Sequence, residues 1–162
     1  ERLDYRFDIL SDYGGFRDLQ RHRLLTIEWQ SLSPDHGYEV PEAVVSAGLI
    51  DRYDGVMERS SALYDLLLQD FPEQASYAVS MAYRVRYVMQ FNAREALHMI
   101  ELRSQPQGHP NYRRIAQAMY QQIASKAGHL AVAEMFSYID LTAGEDGRLQ
   151  AEKALDVRRS TQ

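Results

Sequence analysis

The chain has 162 residues and a mass of 18.7 kDa, is 45% hydrophobic, and carries a formal charge of −5 at pH 7. That is enough apolar material for one domain with its own core, without the run of about 18 apolar residues that a membrane span needs. The acidic balance excludes a general binder of nucleic-acid backbones, and the absence of cysteine excludes disulfide frameworks and thiolate chemistry and fits a reducing, cytoplasmic setting.

Tyr5, Phe7 and Ile9 alternate with Arg6, Asp8 and Leu10, which predicts a half-buried strand ending at the break Ser11 to Gly15. A short helix follows over Phe16 to about Arg23. Thr26 to Gln30 reads as extended, and Ser33 to Gly37, with His36, as a loop. From Val44 the spacing of Tyr53, Val56, Met57, Leu63, Tyr64 and Leu67 predicts helix up to Phe71-Pro72, its apolar residues packed in the core. Apolar residues at every odd position from Tyr77 to Phe91 predict a long strand, with the odd side chains against helices. Asn92 with Glu95 makes a capping box that starts a helix to about Arg103. Asn111 can cap a further helix to Gly128, and a last apolar helix covers Leu130 to Ile139, with His129 at its start. The charged tail 143–162 is expected to be flexible or docked on a partner. The chain begins without methionine and within a strand pattern, which points to a piece of a longer polypeptide.

Two clusters carry chemistry. Arg21-His22-Arg23 is a local concentration of cations in an acidic chain, and Asn92, Arg94, His98 and Arg103 mark the helix after the long strand. Each alone is ordinary: cations at a helix C-terminus complement its dipole, and Asn is a common cap. Together they suggest a pocket for phosphates and a polar ring, with anions favoured at the first turn of the second helix. No histidine pair has metal-ligand spacing with a carboxylate, so no metal is expected. Because each cluster lies at a strand-to-helix junction, and isologous pairing of such surfaces is the common route to a shared pocket, the two are expected to meet through subunit pairing.

In these residues the sequence resembles the flavin-dependent thymidylate synthases. Arg21-His22-Arg23 is followed by seven residues and then Ser31, and a second block reads Phe91-Asn92-Ala93-Arg94-Glu95, then Leu102-Arg103. The resemblance covers about Phe7 to Ile123. It implies an α+β fold, an antiparallel sheet flanked by helices, over residues 1–142. It implies four subunits, or a dimer of two-domain chains, around FAD. It also implies reductive methylation of dUMP or a related pyrimidine nucleotide to dTMP, with methylenetetrahydrofolate and NADPH as co-substrates. Carried over by position, Arg21, His22, Arg23, Asn92, Arg94, His98, Gln107 and His109 fall to the flavin, and Gln20, Ser31 and Arg103 to the nucleotide; no residue is singled out as catalytic.

The departures are specific. Ser33 and Pro34 stand where the family has an arginine and a tyrosine, Ser76 stands at a second family arginine, and Gln107 replaces a histidine, with His109 two residues on. Two readings follow: a flavin-dependent thymidylate synthase domain, taken as the C-terminal half of a duplicated chain, or a half-domain that keeps the fold, binds flavin or nucleotide without turnover, and scaffolds the assembly.

Overall fold

The computed structural model describes residues 2–142 and 147–160. Strand β1 spans Asp4–Asp12, α1 Tyr13–Leu19, β2 Thr26–Trp29, α2 Glu42–Ser46, α3 Ile50–Asp70, β3 Arg84–Asn92, α4 Ala93–Ser104, α5 Pro110–Gln121, α6 Leu130–Ala133 and α7 Gly147–Ser160. The strands form one antiparallel sheet in the order β1-β3-β2, so the mixed α+β class with helices around an antiparallel sheet holds. Contacts divide the chain into two compact units: Glu1–Phe7, Asp18–Thr26 and Met89–Gln162 form one, and Asp8–Arg17 with Ile27–Val88 the other.

The start of α1 comes three residues earlier than the sequence pattern suggested. Asp12, buried at the end of β1, accepts from the Gly15 backbone N–H at 2.8 Å and so caps the helix. A Cβ on Gly14 or Gly15 would lie 3.0 or 3.1 Å from that carboxylate, so two glycines let it close over the helix end. The helix also ends earlier, at Leu19, and His22 N–H bonds back to the Leu19 carbonyl, so Arg21-His22-Arg23 lies in the turn between α1 and β2. The cluster is beside a helix end and a strand, as expected, but outside the helix.

In the second unit, α3 runs as one helix to Asp70, separated from α2 by Gly48, whose φ of 67° only glycine adopts without strain. Met57 packs with Val79 and Tyr83, flanked by Tyr38, Tyr53 and Tyr64. Val56 and Leu63, expected in the core, are exposed: α3 buries one narrow face, and its apolar residues spread wider than that face. The long strand is shorter than its alternation implied. Residues Ala75–Ala78 form a 3-10 turn, bonded from Tyr77 N–H to Gln74 and from Val79 N–H to Ser76. Tyr77 is accordingly 88% exposed. Small residues between the apolar ones (Ala78, Ser80, Ala82) made turn and strand look alike. From Arg84 the expected register holds: Val85, Tyr87, Met89 and Phe91 are buried, and Arg84, Arg86 and Gln90 lie on the other face.

In the first unit, Phe91 stacks on Phe7 at 5.5 Å, and α4 packs against α5 with Ala96, Met99, Ile100, Ala116 and Met119 buried. Asn92 is the N-cap of α4, its Oδ1 accepting from Glu95 N–H at 3.0 Å, which is the asparagine half of the expected capping box, while the Glu95 carboxylate turns to His22 and His98. The cap of α5 is His109, with Pro110 in the first turn, and not Asn111; Nδ1 of His109 accepts from the Asn111 N–H. The helix passes into a π turn, Gln122–Lys126, before Gly128. The expected helix to Ile139 is cut to Leu130–Ala133, and the following backbone is held elsewhere: buried Arg113 donates from Nε to the Ser104 carbonyl and from Nη2 to Asp140 and Thr142. In the charged tail, residues Gly147–Ser160 form α7.

Candidate functional site

The turn after α1 and the first two turns of α4 meet within the first unit. His22 is buried, and its Nδ1 lies 2.8 Å from Oε1 of Glu95, which is buried as well. Oε2 of the same carboxylate is 3.4 Å from Nδ1 of His98, whose ring meets the His22 ring edge-on at 5.5 Å. On the far side of His22, Arg103 donates from Nε to Nε2 at 3.0 Å, and the guanidinium lies 5.5 Å from the centre of the Tyr112 ring. Residues from the Arg-His-Arg turn and from both ends of α4 are thus joined by one polar chain.

This corrects one expectation directly. The two clusters were predicted to meet through subunit pairing, yet the His22 contacts to Glu95 and Arg103 lie within a single chain. The missing signal was topological: the sheet brings the end of β3 beside the chain that leaves α1, which residue spacing does not reveal.

The array also fixes a proton. An arginine side chain has donors and no acceptor, so Nε2 of His22 must present its lone pair, and Nδ1 must carry the hydrogen donated to Glu95. Burial holds the pKa of His22 below its usual value, the Arg103 charge adds to that, and the bond to Glu95 opposes it. His22 is therefore neutral at pH 7. A linkage prediction follows. With the folded pKa below the unfolded value of about 6.5, the unfolded chain binds more protons in the interval between them, so stability rises with pH there. Stability from this group should be present above pH ~6.5 and fall as pH drops toward the folded value. Urea midpoints between pH 7 and 5 check this; in His22→Gln the part due to His22 should vanish.

Expectation saw no histidine paired with a carboxylate at metal spacing, whereas His22, Glu95 and His98 offer ligand atoms within 4.8 Å of one another. The spacing alone would suit a metal; the polarity does not. A metal on Nδ1 would force the hydrogen onto Nε2, against the Arg103 N–H, whereas a metal-bound histidine normally gives its other N–H to an acceptor. The donor set fits a charge-balanced lock better than a metal centre.

The other expected residues divide. Arg21 and Arg23 are exposed on either side of buried His22, with Arg21 3.6 Å from Asp18. Arg94 is exposed in the first turn of α4. Gln20 is half-buried just past α1, and Gln107 and His109 are exposed between α4 and α5; all lie in the same unit as His22. Ser31 is exposed beyond β2 and belongs to the other unit, as do Ser33 and Ser76. That unit has an open concavity of about 360 Å³ lined by Trp29, Tyr87 and the Asp8–Arg86 ion pair, which is closed at 2.6 Å. Sequence reading took Glu95 only as a capping residue and passed over Tyr112. The signal available was Glu95-x-x-His98, which puts both side chains on one helix face.

Against known proteins, the profile of a family described as "Thymidylate synthase complementing protein" matches residues 1–129. The chain belongs to this family. Three relatives bear only the name UPF0159 protein. That of Chlamydia pneumoniae is 41% identical over 152 residues, covering 94% of this chain and 28% of the relative. That of Chlamydia muridarum is 38% identical over the same length, again with 94% and 28% covered. That of Thermoplasma acidophilum is 36% identical over 160 residues, or 98% of this chain and 32% of the relative. The chain therefore spans roughly three-tenths of the relatives it matches. Family membership links it to thymidylate synthesis, and both motif blocks of the site lie inside the matched span. Among the described residues, no helix is long and apolar enough to cross a membrane.

Proposed function

We propose that this chain is the flavin-binding part of a flavin-dependent thymidylate synthase, acting in the cytoplasm on dUMP with methylenetetrahydrofolate and NADPH as co-substrates, in a homo-oligomer of four domains or of two-domain chains. The observation that supports it best is the coupling of Arg21-His22-Arg23 to the Asn92–Arg103 helix through Glu95. The residues suit an anionic cofactor. Both His22 nitrogens are engaged by protein groups, so the imidazole sets the turn while Arg21 and Arg23 project beside it. Arg94 adds a cation at the α4 N-terminus, whose dipole favours negative charge. FAD held there would supply the hydride for reductive methylation of the pyrimidine, and its diphosphate is the natural partner of the exposed guanidiniums.

A second reading has its own support: Ser33 and Ser76 replace two arginines of the related enzymes. On that reading the chain binds flavin or scaffolds an assembly, and nucleotide turnover lies elsewhere in the longer protein. Titration of the apo-protein with FAD, followed by flavin fluorescence, and then with dUMP separates the readings. The synthase reading expects both ligands to bind and dTMP to form once the co-substrates are added, the half-domain reading expects flavin or nucleotide to bind without turnover, and absence of FAD binding overturns the flavin assignment. If the two arginines serve one ligand, Arg23→Ala and Arg94→Ala should each weaken FAD by about 1–3 kcal/mol, and the double variant by less than the sum.

A further inference from the structure

We infer that Arg103 is a positioning residue: stacked on Tyr112, it holds His22 as the neutral Nδ1–H tautomer turned to Glu95, and through His22 it fixes the turn that carries Arg21 and Arg23. This rests on the flavin reading for its functional consequence, and it departs from the direct nucleotide contact that position alone assigned to Arg103.

The geometry runs in one direction. Tyr112 is set by Gly108, where an added Cβ would meet the tyrosine ring at 2.7 Å and its hydroxyl at 2.8 Å, so only glycine admits the ring at this place. The guanidinium over that ring directs its Nε hydrogen to Nε2 of His22. A donor there leaves the imidazole one arrangement, with Nδ1–H to Glu95, and Glu95 is itself anchored in the first turn of α4 by Asn92. Among the described residues, the charged or titratable groups facing His22 are Glu95 and His98 from one end of α4 and Arg103 from its other end. His22 is buried between exposed Arg21 and Arg23, so the direction of its ring sets where the flanking backbone turns. A rotated or protonated His22 would have to break one of its two bonds, and the two guanidiniums would lose a fixed separation.

The test is 15N–1H NMR of the histidine rings in the apo-protein, with FAD affinity measured in parallel. In the parent protein His22 should show a protonated Nδ1 and a bare, pyridine-like Nε2 at pH 7. Arg103→Met should let His22 take a proton at higher pH and pair with Glu95 as imidazolium, and should weaken FAD about tenfold, the loss of roughly one charge-assisted hydrogen bond. Arg103→Lys, which keeps a donor, should restore the tautomer and most of the affinity. Tyr112→Leu, which removes the ring under the guanidinium and leaves Arg103 in the chain, should give a weaker version of the Arg103→Met signature, so a poorly folded Arg103→Met does not end the test. An Nε2–H tautomer in the parent, or an Arg103→Met protein with parent-like ring signals and FAD affinity, overturns the inference. Failure of the parent itself to bind FAD defeats the flavin reading, while the ring signals still decide the role of Arg103.

Discussion

Val85→Asp should leave no soluble folded protein. Val85 is 1% exposed, in the middle of β3, on the face that also buries Tyr87, Met89 and Phe91. Removing the valine forfeits about 1.5–3 kcal/mol of burial, and that face of the strand carries no base to meet the new carboxylate, whose uncompensated desolvation costs several kcal/mol more. The sum rivals the whole stability of a small domain, about 5–15 kcal/mol. The neighbour one residue earlier makes the control. Arg84 is half-buried on the opposite face, with Nε 2.7 Å from Glu39. Arg84→Gln loses one partly solvated ion pair, worth about 1 kcal/mol or less, and should express normally. Arg84→Asp would instead put like charge opposite Glu39 and is the poorer control. Soluble yield and circular dichroism read the outcome, and a folded Val85→Asp beside an insoluble Arg84→Gln would put the register of β3 off by one.

That comparison shows which parts of the molecule could be read from its sequence. Inside β3 the period of two matches burial residue by residue, because both faces of a strand meet different surroundings. The same period ran on through Tyr77 and Val79 into a 3-10 turn, since alternation records only which residues are apolar. Capping chemistry was local enough to read for α4, where Asn92 and Glu95 are three apart. For α5 the cap lay two residues earlier, at His109, because proline in the first turn set the start. The site divides the same way. Arg21, His22, Arg23, Asn92, Arg94 and Arg103 were legible as residue types in a pattern. Their assembly was not, because the distance from His22 to Glu95 is a property of the sheet order, 73 positions apart in the chain. The spacing Glu95-x-x-His98 showed one histidine beside that carboxylate, whereas His22 on its other side had no signature in the sequence. Nor does sequence tell that the middle member of Arg-His-Arg faces inward while the outer two face solvent.

Glu95 should therefore prove the most sensitive polar side chain of the site. In Glu95→Ala the backbone N–H still donates to Asn92, so the helix cap survives and alanine favours the helix; what disappears is the carboxylate alone. His22 is then left with a buried Nδ1–H and no acceptor, and the Arg103 charge loses the anion that balanced it through the imidazole. Leaving the neutral buried N–H without its acceptor costs about 1–3 kcal/mol, and with half-buried Arg103 losing its counter-charge the loss should lie at the upper end of that range, seen in urea denaturation as a lower midpoint at unchanged slope. Glu95→Gln, which can still accept from Nδ1–H, should lose only about 1–1.5 kcal/mol. His98→Ala supplies the contrast, because the His98 side chain is 65% exposed and touches the same carboxylate only at 3.4 Å; its loss should stay within about 0.5 kcal/mol. A loss for Glu95→Ala far above that for Glu95→Gln, with His98→Ala the mildest of the three, places the stabilising interaction between Glu95 and His22. Equal losses for the two substitutions of Glu95 would mean that the negative charge, and not the hydrogen bond to His22, is what the fold requires.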